Sequence, residues 1–151
     1  MKKLLVVLVG LLVFQVSFAK WSKIYQDDDF GDKTTTYMIA EEFNEIPGLL
    51  LIGYHEETKQ EAVAIQFLGL DLGEGIVYMK AKGDKGEIQP APKGFASGAY
   101  IAFYESEGRK IINLLKTSSV VKFNIDGMKF SISARGFLKM YDAGIKKKFK
   151  D

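Results

Sequence analysis

A two-residue hairpin in the last third of the chain constrains the fold more than any other stretch. Asp126-Gly127 stands between the segments VVKFNI and MKFSIS. This pair favours a type I′ turn, which needs positive φ at both central positions. A two-residue loop also fixes the register, so we expect Ile125 to face Met128 across the strands. One face of the hairpin is then apolar, formed by Val121, Phe123, Ile125, Met128, Phe130 and Ile132. The other face carries Lys122, Asn124, Lys129 and Ser131.

Two amphipathic segments flank this hairpin and are expected to cover its apolar face. Before it, residues 107–116 place Ile111, Leu114 and Leu115 at helical spacing, with Ser106 as the predicted N-cap. After it, the sequence Arg135-Gly136 leads into a second short helix, whose apolar residues are Phe137, Leu138, Met140 and Tyr141. The pattern therefore predicts a helix, a hairpin and a second helix in succession.

The rest of the chain has the composition of strands joined by turns. Segments rich in β-branched and aromatic residues predict strands over residues 21–26, 33–40, 49–55, 62–70, 76–82 and 99–104. The prolines Pro90 and Pro92 predict a long loop over residues 88–98. Because the helices come late, the pattern favours an α+β fold that is mainly antiparallel β. We expect about seven or eight strands, in a sandwich or barrel-like arrangement, with two short helices around the hairpin.

The N-terminus has the three parts of a secretory signal peptide. Lys2 and Lys3 precede an apolar run over residues 4–16, and Ser17-Phe18-Ala19 is a small-x-small cleavage site. Cleavage after Ala19 predicts a periplasmic or secreted bacterial protein with no integral membrane segment. The predicted organisation is a signal peptide over 1–19, a single β-rich domain over 20–145 and a basic tail over 146–151.

Charge and composition narrow the class of partner. The chain has 21 Lys and Arg residues and 19 Asp and Glu residues. Removal of the signal peptide takes away two lysines and leaves a formally neutral protein. Neutrality and export both argue against nucleic acid as a partner. The chain has no cysteine and a single histidine, His55, so the usual ligands of a zinc site are missing. We expect no cofactor.

The candidate binding residues lie in the first strand, in the acidic loop that follows it and at the entrance to the last helix. The sequence DDDFGD over residues 27–32 could supply carboxylate ligands to Ca²⁺, but its spacing does not match an EF-hand loop. A solvated turn is the more common role of such a run, so no metal is predicted. Arg135 could bind a carboxylate or anchor the junction between hairpin and helix. The predicted binding residues are Trp21, Asp28, Asp29, Asp32 and Arg135.

The sequence contains neither the G-x-S-x-G motif of a serine hydrolase nor a phosphate-binding glycine loop. No catalytic residue is predicted. The favoured function is therefore a non-enzymatic binding or accessory protein that acts on a protein or an envelope component. Two alternatives stay open. One is a small carboxylate-dependent hydrolase that uses Asp29 with a glutamate. The other is a small-molecule or lipid carrier whose strands enclose an apolar pocket.

Two stretches of the chain resemble small exported bacterial proteins. The first is the N-terminal hairpin, with Trp21 in its first strand and an acidic Gly-Asp-Lys loop over residues 28–33. The second is the ending IINLLKTSSVVKFNIDGMKFSISARGFLKMYDA, which closes with Gly136-Phe137-Leu138 and a short helix. These features are similar to those of invasion-associated locus B-type proteins and of the periplasmic accessory proteins of type VI secretion. The resemblance implies an exported, mainly β, non-enzymatic domain that acts through partners.

Overall fold

A computed structural model of the chain describes residues 21–27, 33–55, 60–86, 88–89 and 92–146. This part of the chain is mainly antiparallel β with two short α-helices, so the predicted fold class is confirmed. The strands are β1 (Ser22–Asp27), β2 (Lys33–Glu42), β3 (Gly48–His55), β4 (Gln60–Phe67), β5 (Glu74–Tyr78), β6 (Lys80–Gly83), β7 (Ile88–Gln89), β8 (Lys93–Ser97), β9 (Tyr100–Tyr104), β10 (Val120–Ile125) and β11 (Met128–Ser133). The helices are α1 (Ser106–Thr117) and α2 (Phe137–Tyr141), and a π-helical turn follows over Asp142–Lys146.

The described strands form two antiparallel sheets that share one core. The larger sheet has seven strands in the order β1-β2-β3-β4-β9-β8-β5, and the smaller has four in the order β11-β10-β6-β7. Aromatic rings join the two sheets around Phe130. Its ring centroid lies 4.7 Å from that of Phe43, 5.6 Å from that of Phe67 and 5.4 Å from that of Phe123. The inward face of each sheet therefore contributes to a single core.

The central hairpin has the predicted register. Ile125 pairs with Met128, and the ladder continues through the pair Phe123 and Phe130. The turn residues Asp126 and Gly127 have φ values of 48° and 91°, as a type I′ turn requires. The predicted apolar face is directed into the core, so the local sequence is sufficient to set both the turn and the face that is covered.

The two helices lie where the sequence predicts them, but the predicted N-cap of the first is wrong. The capping position of α1 is Glu105, with φ 44° and ψ −110°, and it makes no side-chain capping hydrogen bond. Ser106 is already the first helical residue. The second helix begins after Gly136, whose φ of 78° is readily adopted by glycine.

Two sequence predictions in the middle of the chain are corrected by the structure. Residues 76–82 do not form one strand, because the chain passes from β5 to β6, and hence from one sheet to the other, at the fully buried Met79. Residues 88–98 are not a long loop, because they contain β7 and β8. Pro92 immediately precedes β8 and accepts a hydrogen bond from the N–H of Met79 with its carbonyl oxygen (2.9 Å). A proline at the start of a strand removes no donor from the ladder.

Among the residues that the structure describes, no helix has the length and apolar character needed to cross a membrane.

Candidate functional site

A cleft of about 790 Å³ opens beside α1, at the ends of β4 and β9. Its volume is in the range of about 300 to 1,000 Å³ that is typical of small-molecule sites. Strand, helix and C-terminal residues all contribute to its lining. The lining side chains that can bear charge or donate a hydrogen bond include Glu61, Glu105, Arg109, Lys116 and Tyr141.

The cleft exists because α1 lies close against the large sheet at Gly108. A Cβ atom at this position would lie 3.0 Å from Val63 Cγ2 and 3.2 Å from the carbonyl oxygen of Phe103. Glycine therefore permits the close approach of helix and sheet. The next residue, Arg109, and Lys116 are seven positions apart, so they project from the same side of the helix. That side forms one wall of the cleft.

A carboxyl–phenol pair occupies one wall of the cleft. The Tyr141 hydroxyl donates a hydrogen bond to the Glu61 carboxylate. Burial raises the pKa of Glu61 above its ordinary value, even though the bond from Tyr141 and the charges of Lys116 and Arg109 lower it. Burial and the neighbouring Glu61 raise the pKa of Tyr141 far above its usual range, so its hydroxyl remains a donor at neutral pH. The Lys116 ammonium nitrogen lies 4.5 Å from the centroid of the Tyr141 ring.

One oxygen of Glu61 is left to accept a further hydrogen bond. Its Oε1 atom is buried and has no hydrogen-bond partner among the described residues. A buried acceptor without a partner destabilises the protein, because it has lost its hydrogen bonds to water and has formed none in their place. A ligand that donates a hydrogen bond in the cleft would satisfy it.

Backbone strain marks the rim of the same cleft. Glu105 has φ 44° and is one of two non-glycine residues with positive φ in the described part of the chain. Its carbonyl oxygen accepts the hydrogen bond from the N–H of Arg109 (3.1 Å). Such strain persists only where the surrounding structure holds it, and it is concentrated at binding and catalytic sites.

The raised pKa of Glu61 makes the stability of the protein depend on pH. The folded carboxyl holds its proton to a higher pH than the ordinary value of 4.5. Stability is therefore lost as the pH rises from that value through the raised pKa. Glu61→Gln removes the buried charge, and we expect it to raise the melting temperature at pH 8 but not at pH 4. The gain should be less than about 1 kcal/mol, since the open cleft lets solvent screen the charge.

Thermal unfolding at a series of pH values tests this expectation, with Glu105→Gln as the control because that carboxylate is exposed on the same rim. The Glu61→Gln and wild-type curves should separate with rising pH, while the control follows the wild type. A constant offset between Glu61→Gln and wild type at all pH values would contradict the assignment.

The outward face of the large sheet carries a second notable surface, which we call the aromatic face. It consists of Ile76, Tyr78, Phe95, Tyr100 and Tyr104 on β5, β8 and β9. Their exposed fractions are 57%, 63%, 47%, 47% and 68%. Ile76 lies opposite Phe95, and Phe95 lies opposite Ala102, so the apolar side chains form continuous rows across the strands.

The alternation of the strands explains why this face is separate from the core. Gly94, Ala96, Ile101 and Phe103 point inward and are buried. The outward positions of the same strands carry two charged residues, Glu74 and Lys93, and each is the first residue of its strand. The middle of the aromatic face is therefore uncharged. Exposed apolar surface of this kind, without charged side chains among it, is typical of a protein-binding surface.

The predicted binding residues are not brought together. Trp21 is buried, donates a hydrogen bond from Nε1 to the carbonyl oxygen of Ser133 (3.1 Å) and packs 4.8 Å from the ring of Phe137. Arg135 is exposed in the turn before α2, and neither residue lines the cleft. The three aspartates, Asp28, Asp29 and Asp32, lie outside the described residues. Their binding roles stay predictions.

The residues of the cleft were not found from the sequence. Glu61 and Tyr141 are far apart in the chain, and no motif joins them. The helical spacing of Arg109 and Lys116 can be read from the sequence, but it does not show which residues face them across the cleft. In the described part of the chain, no group of three or more Asp, Glu or His side chains could hold a metal ion.

Comparison with known proteins identifies no relative of this chain. The chain matches no protein-family model, no curated protein and no solved structure. The resemblance to invasion-associated locus B-type and type VI secretion accessory proteins therefore stays a prediction. Functional inference rests on the two surfaces described above.

Proposed function

We propose that this protein is an exported, non-enzymatic binding or accessory protein of the bacterial envelope, and that it binds a partner protein through the aromatic face. The observation that carries the proposal is the exposure of five large apolar side chains on three neighbouring strands. The partner is expected to present a complementary apolar surface. The signal-peptide pattern of the first 19 residues supports export.

The size of the aromatic face is appropriate for a protein interface. A large aromatic side chain buries about 150 to 250 Å² when fully covered, so five half-exposed side chains offer about 500 Å². The small outward residues Ala62, Ala64 and Ala102 on neighbouring strands extend this surface. A stable interface buries about 800 Å² on each partner, which the extended face can approach. Tyrosine and phenylalanine are also enriched at such interfaces.

A matched pair of variants tests the aromatic face. Phe95→Asp places a charge at its centre, whereas Leu138→Asp places one on α2, away from the face, at a residue of almost equal exposure (47% and 48%). We expect wild type and Leu138→Asp to retain a discrete partner from envelope extract. Phe95→Asp should bind the same purified partner about 30-fold more weakly, the effect of losing an interface hot spot.

Three other outcomes decide against parts of the proposal. Equal retention by Phe95→Asp and Leu138→Asp would exclude the aromatic face as the interface. A concentration-dependent dimer that only Phe95→Asp disrupts would identify a second copy of the chain as the occupant. Absence of any partner with all three proteins would contradict the accessory function. Circular dichroism should show that both variants are folded, because both positions are exposed.

The cleft supports a second candidate function, the binding of a small molecule. The buried Oε1 atom of Glu61 favours a ligand with a hydrogen-bond donor, and Arg109 and Lys116 offer positive charge nearby. A carrier function, the alternative drawn from the sequence, would use this cleft as its binding site. Native mass spectrometry of protein isolated gently from its host should then show a small adduct that Glu61→Gln reduces. Wild-type protein free of any adduct, even after soaking in a metabolite extract, would contradict this function.

A further inference from the structure

The outward face of the small sheet carries a compact group of lysines, which we call the basic face. It consists of Lys80, Lys82, Lys122 and Lys129, all of which are exposed. The register places them in two rows across β6, β10 and β11. One row is Lys80, Asn124 and Lys129, and the other is Lys82, Lys122 and Ser131.

The basic face places like charges at close range. Lys82 and Lys122 lie directly opposite each other on neighbouring strands, where like charges destabilise a sheet. None of the four lysines makes an ion pair with another described residue. The carboxylate of Glu45 also lies at this surface, where it accepts hydrogen bonds from the N–H and the hydroxyl of Ser131 (both 2.6 Å). Four ammonium groups against one carboxylate leave this surface with a net positive charge among the described residues.

A shallow depression of about 480 Å³ lies among these lysines. Much of its surface is aliphatic carbon, because lysine side chains lay their stems along a surface and keep their ammonium groups in water. The depression thus presents a largely non-polar surface, with four lysines and the single carboxylate of Glu45 around it. Anionic amphiphiles have the complementary arrangement.

We propose that the basic face binds the anionic headgroups of a lipid bilayer. The two rows span about 10 Å across three strands and about 7 Å along them. Such a patch is about as wide as it is long, which suits a planar array of headgroups better than an extended polymer. Lysines near an anionic leaflet each strengthen binding. The aromatic face belongs to the other sheet, so the residues that would contact the headgroups are not those proposed to contact the partner.

Vesicle co-sedimentation tests the proposal with the full protein and defined lipids. At low ionic strength we expect binding to phosphatidylglycerol–phosphatidylcholine vesicles and no binding to pure phosphatidylcholine vesicles. Binding should fall strongly at 0.5 M salt, since screening is then effective within about 5 Å. Replacement of Lys82 and Lys122 by glutamine should weaken binding about 25-fold, which is about fivefold for each lysine.

The same double variant separates binding from folding. Lys82→Gln with Lys122→Gln removes a like-charge pair, so its melting temperature should rise while its vesicle binding falls. The control is Lys93→Gln with Lys139→Gln, which removes two exposed lysines outside the basic face. An equal loss of binding by the control would show that only net charge matters, and this would overturn the proposal. Failure of the wild type to bind anionic vesicles, or preferential binding to soluble heparin, would also overturn it.

Phe95→Asp should leave vesicle binding unchanged, so the result is independent of the proposed partner interface.

Discussion

Phe137→Ala is expected to lower the free energy of unfolding by about 4 kcal/mol. The side chain is fully buried, and its ring centroid lies 4.8 Å from that of Trp21 and 5.3 Å from that of Tyr141. Helix α2 has five residues, which is too short to be stable without packing. The decrease in the free energy of unfolding should therefore reflect the lost packing of the whole helix as well as that of the Phe137 ring. For a domain with a net stability of about 5 to 15 kcal/mol, this is a large fraction.

Urea denaturation measures this effect, and the neighbouring residue supplies the control. Leu138 belongs to the same helix but is 48% exposed, so Leu138→Ala should change the stability by less than about 0.5 kcal/mol. Phe137→Ala should also release Tyr141 from Glu61. Because the bond from Tyr141 lowers the pKa of Glu61, its loss should raise that pKa further and increase the pH dependence of stability described above. Equal urea midpoints for the two alanine variants would show that α2 does not anchor the C-terminal part of the core.

The features that were predicted correctly are those determined by neighbouring residues. The register of β10 and β11 follows from the two turn residues, Asp126 and Gly127, and the alternation of side chains then fixes the buried face. The start of α2 follows in the same way from Gly136, because glycine adopts positive φ without steric cost. The fold class follows from the order of these elements along the chain.

The features that were missed depend on contacts between distant residues. Alternation over residues 76–82 is compatible with one strand, and only the packing of the buried Met79 shows that the chain changes sheets there. Ser106 suits an N-cap, but in the structure α1 already includes it, the capping position is the strained Glu105, and the helix meets the sheet closely at Gly108. The cleft joins β4 to the C-terminal helix, so its Glu61–Tyr141 pair has no signature in either segment.

The aromatic face illustrates a further limit of sequence patterns. Alternation separates Ile76 and Tyr78 from the intervening Val77, but both sets are apolar. Hydrophobicity therefore does not show which side of β5 is covered. The structure covers the side of Val77, which packs against the core, and exposes the larger residues. The exposed apolar residues of β5 are larger than Val77, and exposed apolar side chains of this size are a reason to expect a binding partner.

Gly94→Ala is expected to destabilise the protein by about 2 kcal/mol and to weaken partner binding with it. A Cβ atom at Gly94 would lie 2.5 Å from Ile101 Cγ2, 2.9 Å from Phe103 Cε1 and 3.1 Å from the carbonyl oxygen of Ala102. Ile101 and Phe103 are themselves buried, so neither ring nor methyl group has room to withdraw. The added methyl group should instead push β8 away from the core, and β8 carries Phe95 at the centre of the aromatic face.

Gly144→Ala is the matched control, since a Cβ atom there would have no neighbour within 4 Å. We expect its melting temperature to stay near that of the wild type, while that of Gly94→Ala falls by about 6 °C, or about 3 °C for each kcal/mol. Gly144→Ala should bind the partner as tightly as the wild type does, and Gly94→Ala should bind it more weakly. Normal stability of Gly94→Ala would mean that β8 is packed less closely than the structure shows. Normal stability together with lost binding would mean that a small displacement of β8 is enough to disrupt the aromatic face, because that face is formed by side chains from three separate strands.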